Sequence, residues 1–259
     1  MLKSNIIFLH IPKTGGTTLN SLLERVYWHQ RKNMRTIKHF SEYPAFTQED
    51  KNKHTGIQVL KGHIPYGAHE YLIGDSVYFT FLRNPIQRTL SNYYYAISQR
   101  GEGISNYLID NDISLEQYIE ENIAPWVFNE QTKYLAGAQS GKEIASECNE
   151  EQYQSAIAHI KDHFALVGLT EYFDESLLLL KKKLNWRYPY YHVKNVTKRK
   201  RPPLSDRMKE IIAKRNSYDM RLYEYAKKQL HQCLTEESFV FQGQMPYFRL
   251  MNQVFRKLR

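Results

Sequence analysis

Short, continuously apolar runs predict the strands of this chain. Residues 5–11, 77–82 and 164–169 are dominated by branched and aromatic side chains, and each run is long enough for one buried strand. A shorter run at residues 58–63 predicts a further buried strand. We expect these strands to form a central parallel sheet.

Apolar residues at helical spacing predict the helices. One helix begins near Thr17, and another follows Asn84, a natural N-cap residue, with Pro85 at its first helical position. Weaker helical patterns cover residues 114–122, 126–136 and 150–162. Residues 173–184 predict an amphipathic helix, a further helix begins at Ser205 or Asp206, and residues 218–230 predict one more.

The remaining segments carry less structural information. Residues 101–113 predict a loop, and residues 29–56 give no assignment beyond loop or short elements. The tail at 239–259 is aromatic and basic. Without a repeat or a low-complexity linker, residues 1–259 predict a single α/β domain. Its expected architecture is a P-loop-like central parallel sheet flanked by helices, with extra C-terminal helices.

The junction between the first strand and the first helix carries the clearest chemical signal. It reads Pro12-Lys13-Thr14-Gly15-Gly16-Thr17-Thr18. Backbone N–H groups and the helix dipole favour an anion at a helix N-terminus, and the two glycines let the backbone approach it. Lys13 supplies a cation, and Thr14, Thr17 and Thr18 supply hydroxyl groups. The stretch predicts a phosphate-binding loop; the alternative is a plain junction in which Thr17 only caps the helix.

Nucleoside triphosphate chemistry fits this loop poorly. In the ATP and GTP loop the lysine follows the last glycine, whereas Lys13 precedes both glycines here. Such chemistry also needs Mg²⁺, usually held by an acidic residue after a neighbouring strand. Only Glu171 follows a predicted strand in this way. No histidine pair has the H-E-x-x-H spacing of a zinc site, so we expect no metal.

The loop resembles the 5′-phosphosulfate loop of sulfotransferases, which use 3′-phosphoadenosine 5′-phosphosulfate (PAPS). Residues 79–95 resemble the 3′-phosphate element of the same family, and are closest to the uronyl 2-O-sulfotransferase branch, which includes heparan sulfate 2-O-sulfotransferase. Similar segments follow at residues 164–171 and 192–197, and at Tyr218-Asp219 with Leu222-Tyr223. The resemblance therefore covers nearly the whole chain.

The resemblance implies a role for each matched residue. The stretch from Pro12 to Thr18 would bind the 5′-phosphosulfate, with Lys13 meeting the charge that develops on the leaving phosphate. Arg83 and Ser91 would hold the 3′-phosphate, and Arg88, one turn before Ser91, could share that task. Thr197 lies in a segment that resembles the part closing over the nucleotide.

His63 is the predicted general base. It follows the second predicted strand, at the edge where open α/β sheets bind their ligands, and the resembled family carries its catalytic histidine there. The sequence departs from the family nearby. Lys61 stands where the branch usually has a second histidine, and His10 stands where members tend to have arginine. Both changes affect the acceptor side, so the acceptor stays open.

Charge and composition limit the classes of molecule that the chain is expected to bind. The chain of 259 residues has a formal net charge of +9, and residues 176–205 contain nine basic residues and no acidic ones. This stretch is either a solvated surface or a positive field that attracts PAPS or an anionic glycan. Because no helix-turn-helix, zinc-finger or RNA-recognition signature is present, we expect no nucleic-acid partner.

Location follows from three sequence features. No apolar segment is long enough for a transmembrane span, and the N-terminus enters a predicted strand at once. The two cysteines, Cys148 and Cys233, form no disulfide framework. The sequence therefore predicts a cytoplasmic protein, and the resemblance allows a homo-oligomer.

Together these features predict sulfuryl transfer from PAPS to a hydroxyl group of a glycan or glycoconjugate, with 3′-phosphoadenosine 5′-phosphate (PAP) as the product. The transfer would be an in-line displacement without a metal. Two alternatives stay open: a Mg²⁺-dependent kinase, and a non-catalytic protein that binds anionic polymers through its basic stretch.

Overall fold

Five parallel strands form the centre of the protein, seen in a computed structural model that describes residues 4–101, 103–194, 203–237 and 239–257. The strands are β1 (Asn5–Leu9), β2 (Met34–Ile37), β3 (Val59–Gly62), β4 (Ser76–Leu82) and β5 (Phe164–Leu169). Their order across the sheet is β2-β3-β1-β4-β5, and all paired neighbours are parallel. The predicted α/β class with a central parallel sheet is confirmed.

β1 lies in the middle of the sheet, and its residues are apolar from Ile6 to Leu9. It pairs with β3 on one side, Ile7 against Leu60, and with β4 on the other, Ile7 against Tyr78. Every residue of β1 is buried. A strand that is covered on both faces and both edges has no position for an exposed polar side chain, which explains its continuous apolar run.

Strand β2 was not predicted from the sequence. It lies at the edge of the sheet, and Ile37 is its one buried residue. An edge strand with partly exposed faces needs no apolar run, so the pattern at residues 34–37 carries no strand signal.

The helices that flank the sheet follow the predicted pattern in most places. Their bounds are α1 Gly16–Val26, α2 Tyr43–Gln48, α3 Pro85–Ala96, α4 Ser105–Asp110, α5 Leu115–Glu120, α6 Glu130–Ala136, α7 Gly141–Ala145, α8 Glu150–His163, α9 Phe173–Lys183, α10 Asp206–Arg215, α11 Ser217–Glu236 and α12 Phe239–Lys257. At α3 the Asn84 side chain accepts a hydrogen bond from the Gln87 N–H at 3.2 Å, which confirms the predicted cap.

The predicted loop at residues 101–113 was wrong in part, because α4 lies within it. This short helix is held by tertiary packing: Leu108 is buried in a second apolar cluster with residues of α3, α5 and α10. Residues 239–257 form α12 despite Pro246 in its interior. Within the described parts of the chain, no helix has the length and apolar character that a membrane span requires.

Because all strands run in one direction, their carboxyl ends meet at one edge of the sheet. The loop before α1, the residue after β3 and the turn between β4 and α3 all start from this edge. Parallel sheets bind their ligands at this edge, and Lys13, His63 and Arg83 lie here.

Candidate functional site

The loop between β1 and α1 turns sharply through two left-handed residues. Lys13 has φ 69° and Gly15 has φ 84°. Gly15 is the N-cap of α1, and because it has no side chain, no cap hydrogen bond comes from this position. The interpretation in which Thr17 caps the helix was therefore wrong. The Thr14 hydroxyl, which is buried, instead donates to the Ile11 carbonyl at 2.8 Å and holds the turn.

Two cations from different strands meet beside this loop. The Lys13 ammonium nitrogen lies 3.3 Å from the centre of the Tyr95 ring, a cation–π contact. The Arg83 guanidinium donates from Nη1 to the Lys13 carbonyl oxygen at 3.2 Å. Lys13 follows β1 and Arg83 follows β4, so the pairing of these adjacent strands places the Arg83 guanidinium against the backbone of Lys13.

Ser91 lies on the face of α3 that turns toward the phosphate loop. Ser91 and Tyr95 are four residues apart on this helix, so their side chains share one face. Tyr95 contacts Lys13, and Ser91 is partly exposed. The sequence analysis assigned no chemistry to Tyr95, although its one-turn spacing from Ser91 was a usable signal.

Arg88 lies elsewhere, in the core. It is fully buried, with an ion pair to Glu130 and a hydrogen bond to the Val127 carbonyl oxygen. The suggestion that Arg88 shares phosphate binding with Arg83 was therefore wrong. A guanidinium held inside the protein by these two partners joins α3 to the first residue of α6 and to the segment before it.

His63, at the end of β3, stacks on His10, at the end of β1. Their ring centres are 4.2 Å apart with an interplanar angle of 28°. Nδ1 of His63 lies 3.0 Å from the His10 carbonyl oxygen. A carbonyl oxygen can only accept, so Nδ1 carries the proton and Nε2 keeps its lone pair. This tautomer is the one that a general base at Nε2 requires.

Burial keeps both imidazoles neutral. It lowers the pKa of His63 to about 4, against the opposing effect of the hydrogen bond to the His10 carbonyl. Burial also lowers the pKa of His10 well below its ordinary value, and the neighbouring His63 and Lys13 lower it further. A neutral His63 is in the protonation state that can accept a proton.

A cavity of about 360 Å³ lies against these two rings. It is lined by residues of the loop, of α1 and of the sheet edge: His10, Thr17, Asn20, Ser21, Glu24, Thr36, Ile37, Lys38, Gly62, His63 and Lys194. A groove of about 520 Å³ adjoins it and shares Ser21 and Glu24. Aromatic and cationic side chains line that groove, among them Arg25, Trp28, Arg31, Tyr190 and Phe255.

Lys61 is buried and holds two residues that line the cavity. Its side chain is 1% exposed, and its ammonium group donates to Glu24 Oε1 at 2.7 Å and to the Asn20 carbonyl oxygen at 3.4 Å. Glu24 and Asn20 both line the cavity. Lys61, which departs from the family pattern, therefore holds two residues of the cavity wall in place.

Glu171, the acid expected near a Mg²⁺ ion in a kinase, is engaged by other groups. Its Oε1 accepts from the Asn84 N–H at 3.0 Å, and its Oε2 accepts from the Tyr223 hydroxyl at 3.1 Å. Among the described residues, no group of three or more histidine, cysteine or acidic side chains is placed to hold a metal ion.

One part of the predicted nucleotide site cannot be placed. Thr197 and the basic residues 198–201 lie outside the residues that the structure describes. The segment just before them contacts the phosphate loop, because the Lys194 N–H donates to the Thr18 hydroxyl at 3.1 Å.

Comparison with known proteins identifies a family. A family model described as Galactose-3-O-sulfotransferase matches residues 2–243. Galactose-3-O-sulfotransferase 2 of Homo sapiens is 24% identical over 261 residues, which cover 90% of this chain and 62% of the human protein. Uronyl 2-sulfotransferase of Homo sapiens is 25% identical over 260 residues, covering 88% of this chain and 63% of that protein.

A glycolipid enzyme is similar as well. Galactosylceramide sulfotransferase of Homo sapiens is 26% identical over 204 residues, which cover 71% of this chain and 46% of the relative. The chain thus spans between 46% and 63% of the length of these three relatives. The matches confirm the resemblance to sulfotransferases that the loop and residues 79–95 indicated, including the uronyl branch.

Proposed function

Because the chain belongs to the galactose-3-O-sulfotransferase family, we propose that it transfers a sulfuryl group from PAPS to a hydroxyl group of a carbohydrate. One observation carries the proposal. The cavity beside the neutral His63 is also lined by Thr17 of the phosphate loop, so one space borders the proposed base and the proposed donor site. The relatives are named for galactose, uronyl and galactosylceramide acceptors, which supports a sugar hydroxyl as the acceptor.

The donor side would use the loop and the adjacent cations. The N-terminus of α1, preceded by Gly15 rather than by a capping side chain, suits the 5′-phosphosulfate. Lys13 would meet negative charge on the departing phosphate, and Arg83 and Ser91 would bind the 3′-phosphate. The hydrogen bond from Arg83 to the Lys13 carbonyl oxygen supports these roles, because it connects the residue proposed for the 3′-phosphate to the loop proposed for the 5′-phosphosulfate.

His63 would act as the general base. Its Nε2 would take the proton of the acceptor hydroxyl while the acceptor oxygen attacks sulfur. As the new S–O bond forms, the bond from sulfur to the bridging phosphate oxygen breaks, and the electron pair leaves with PAP. The hydrogen bond from Nδ1 to the His10 carbonyl oxygen holds the imidazole in the required tautomer and would support the charge it gains.

Two experiments test the proposal. Calorimetric titration with PAP, beside ATP with Mg²⁺, should show that PAP binds and ATP does not compete effectively. Incubation with sulfur-labelled PAPS and a panel of galactosides, uronic-acid oligosaccharides and galactosylceramide should then label at least one acceptor. A preference for Mg-ATP, or PAP binding without transfer to any sugar, would overturn the proposal.

A further inference from the structure

Two helix N-termini cap one another next to the donor site. The Asn129 side-chain oxygen, just before α6, accepts from the N–H groups of Tyr218 and Asp219 in α11, both at 3.0 Å. In return the Asp219 carboxylate accepts from the N–H groups of Gln131 at 3.2 Å and Thr132 at 2.8 Å. Asp219 is fully buried, and these bonds satisfy a charge that would otherwise be costly.

The Gln131 side chain connects this capped pair to the turn after β4. Its amide oxygen accepts from the Arg83 N–H at 2.9 Å, and its amide nitrogen donates to the Arg83 carbonyl oxygen at 3.1 Å. The same amide nitrogen lies 3.3 Å from the Asp219 carboxylate. Gln131 is fully buried, so both backbone groups of Arg83 are held by one fixed amide.

The Arg83 side chain connects these contacts to the phosphate loop, because its guanidinium donates a hydrogen bond to the Lys13 carbonyl oxygen. An unbroken series of hydrogen bonds therefore runs from Asp219 through Gln131 and Arg83 to Lys13. The Tyr218-Asp219 pair had no role in the chemistry considered so far. Asp219 is connected through Gln131 to Arg83, the residue proposed to bind the 3′-phosphate of the donor.

We propose that Gln131 and Asp219 are positioning residues that set the Arg83 guanidinium for the 3′-phosphate of the donor. The inference rests on the proposed function. A backbone held at both its N–H and its carbonyl fixes where the arginine side chain begins, so fewer guanidinium positions must be given up when the phosphate binds. The effect should be specific for ligands that carry a 3′-phosphate.

The test compares PAP with adenosine 5′-monophosphate, which lacks the 3′-phosphate. Gln131→Met keeps the length of the side chain but removes both hydrogen bonds to Arg83. We expect Kd for PAP to rise about tenfold, as for a weakened hydrogen bond to a charged group, with less than about a threefold change for the monophosphate. KM for PAPS should rise by the same factor, whereas kcat should change little.

Gln152→Ala is the matched control. Like Gln131, Gln152 lies in the first turn of a helix, but it is the third residue of α8 and completes a capping box with Asn149. It should leave both dissociation constants unchanged. Asp219→Asn provides a second variant if Gln131→Met fails to fold, and it should weaken PAP binding selectively as well.

Equal weakening for both ligands would show a purely structural role and overturn the inference. Unchanged PAP affinity in folded Gln131→Met, judged by circular dichroism and a cooperative melt, would also overturn it. Failure of the unmodified protein to bind PAP would instead count against the proposed function, so the two failures are distinguishable.

Discussion

Gly16→Ala tests the closest packing at the candidate site. A Cβ atom on Gly16 would lie 1.7 Å from Nε2 and 2.0 Å from Cδ2 of His10. Real Cβ atoms essentially never come within 3.0 Å of another heavy atom, so the ring would have to move. It has little room, because it is 9% exposed and stacks on Phe8 at 5.6 Å and on His63 at 4.2 Å.

The magnitude follows from two opposing effects. Alanine is favoured over glycine within a helix by up to about 1 kcal/mol. Overpacking a filled site costs about 1–3 kcal/mol, and a contact this short calls for the upper end of that range. The net loss should be about 2 kcal/mol, or a fall in Tm of roughly 4–8 °C for a domain of this size. Displacing His10 should also disturb His63, so turnover should fall.

A double-mutant cycle with His10→Ala separates the packing from other causes. His10→Ala removes the ring atoms with which the new Cβ atom would clash. In the His10→Ala background, Gly16→Ala should therefore be neutral or stabilising. The coupling energy from urea unfolding should reach at least about 1 kcal/mol. A Gly16→Ala variant as stable as the unmodified protein, or one equally destabilised in both backgrounds, would refute the reasoning.

Four further predictions concern the base, the loop and the core. His63→Ala should lower turnover by about 10²–10⁴-fold while PAP still binds, and near-normal turnover would remove His63 from the mechanism. Burial lowers the pKa of His63 from 6.5 to about 4 in the folded protein. As pH falls below 6.5, His63 is therefore protonated in the unfolded chain before it is protonated in the folded protein. Stability should therefore be full above pH 6.5 and decline as pH falls toward 4, with a shallower decline in His63→Gln; identical urea-unfolding profiles would contradict this. Lys13→Ala should weaken PAP binding and turnover together, and an unchanged Kd would argue against the loop assignment. Arg88→Ala should cost about 3–5 kcal/mol, because it leaves Glu130 buried without its cation, whereas a loss near zero in urea unfolding would show that the pair is not needed.

Elements with a strong local pattern were predictable, and those held by tertiary contacts were not. The run at residues 164–169 and the Asn84-Pro85 start of α3 correspond to β5 and to the observed helix. Residues 34–37 gave no strand signal because an edge strand needs none. Residues 105–110 form a helix only because Leu108 reaches a cluster built by distant segments.

The sequence by itself determined the order of strand, loop and helix around Lys13, and with it the expected binding of an anion. It did so because the chemistry of such a loop is local: glycines, a lysine and a helix start within seven consecutive residues. The motif at residues 79–95 likewise indicated the family and assigned the 3′-phosphate to Arg83, although the sequence alone allowed Arg88 to share that task.

Only the tertiary structure separated those two arginines. Arg83 reaches the loop, whereas Arg88 is buried against Glu130, 42 positions away in sequence. The same holds for the stacking of His63 on His10 and for Gln131, which lies 48 positions from the arginine it holds. Such contacts depend on which strands are neighbours and how distant helices pack, and residue spacing along the chain does not encode them.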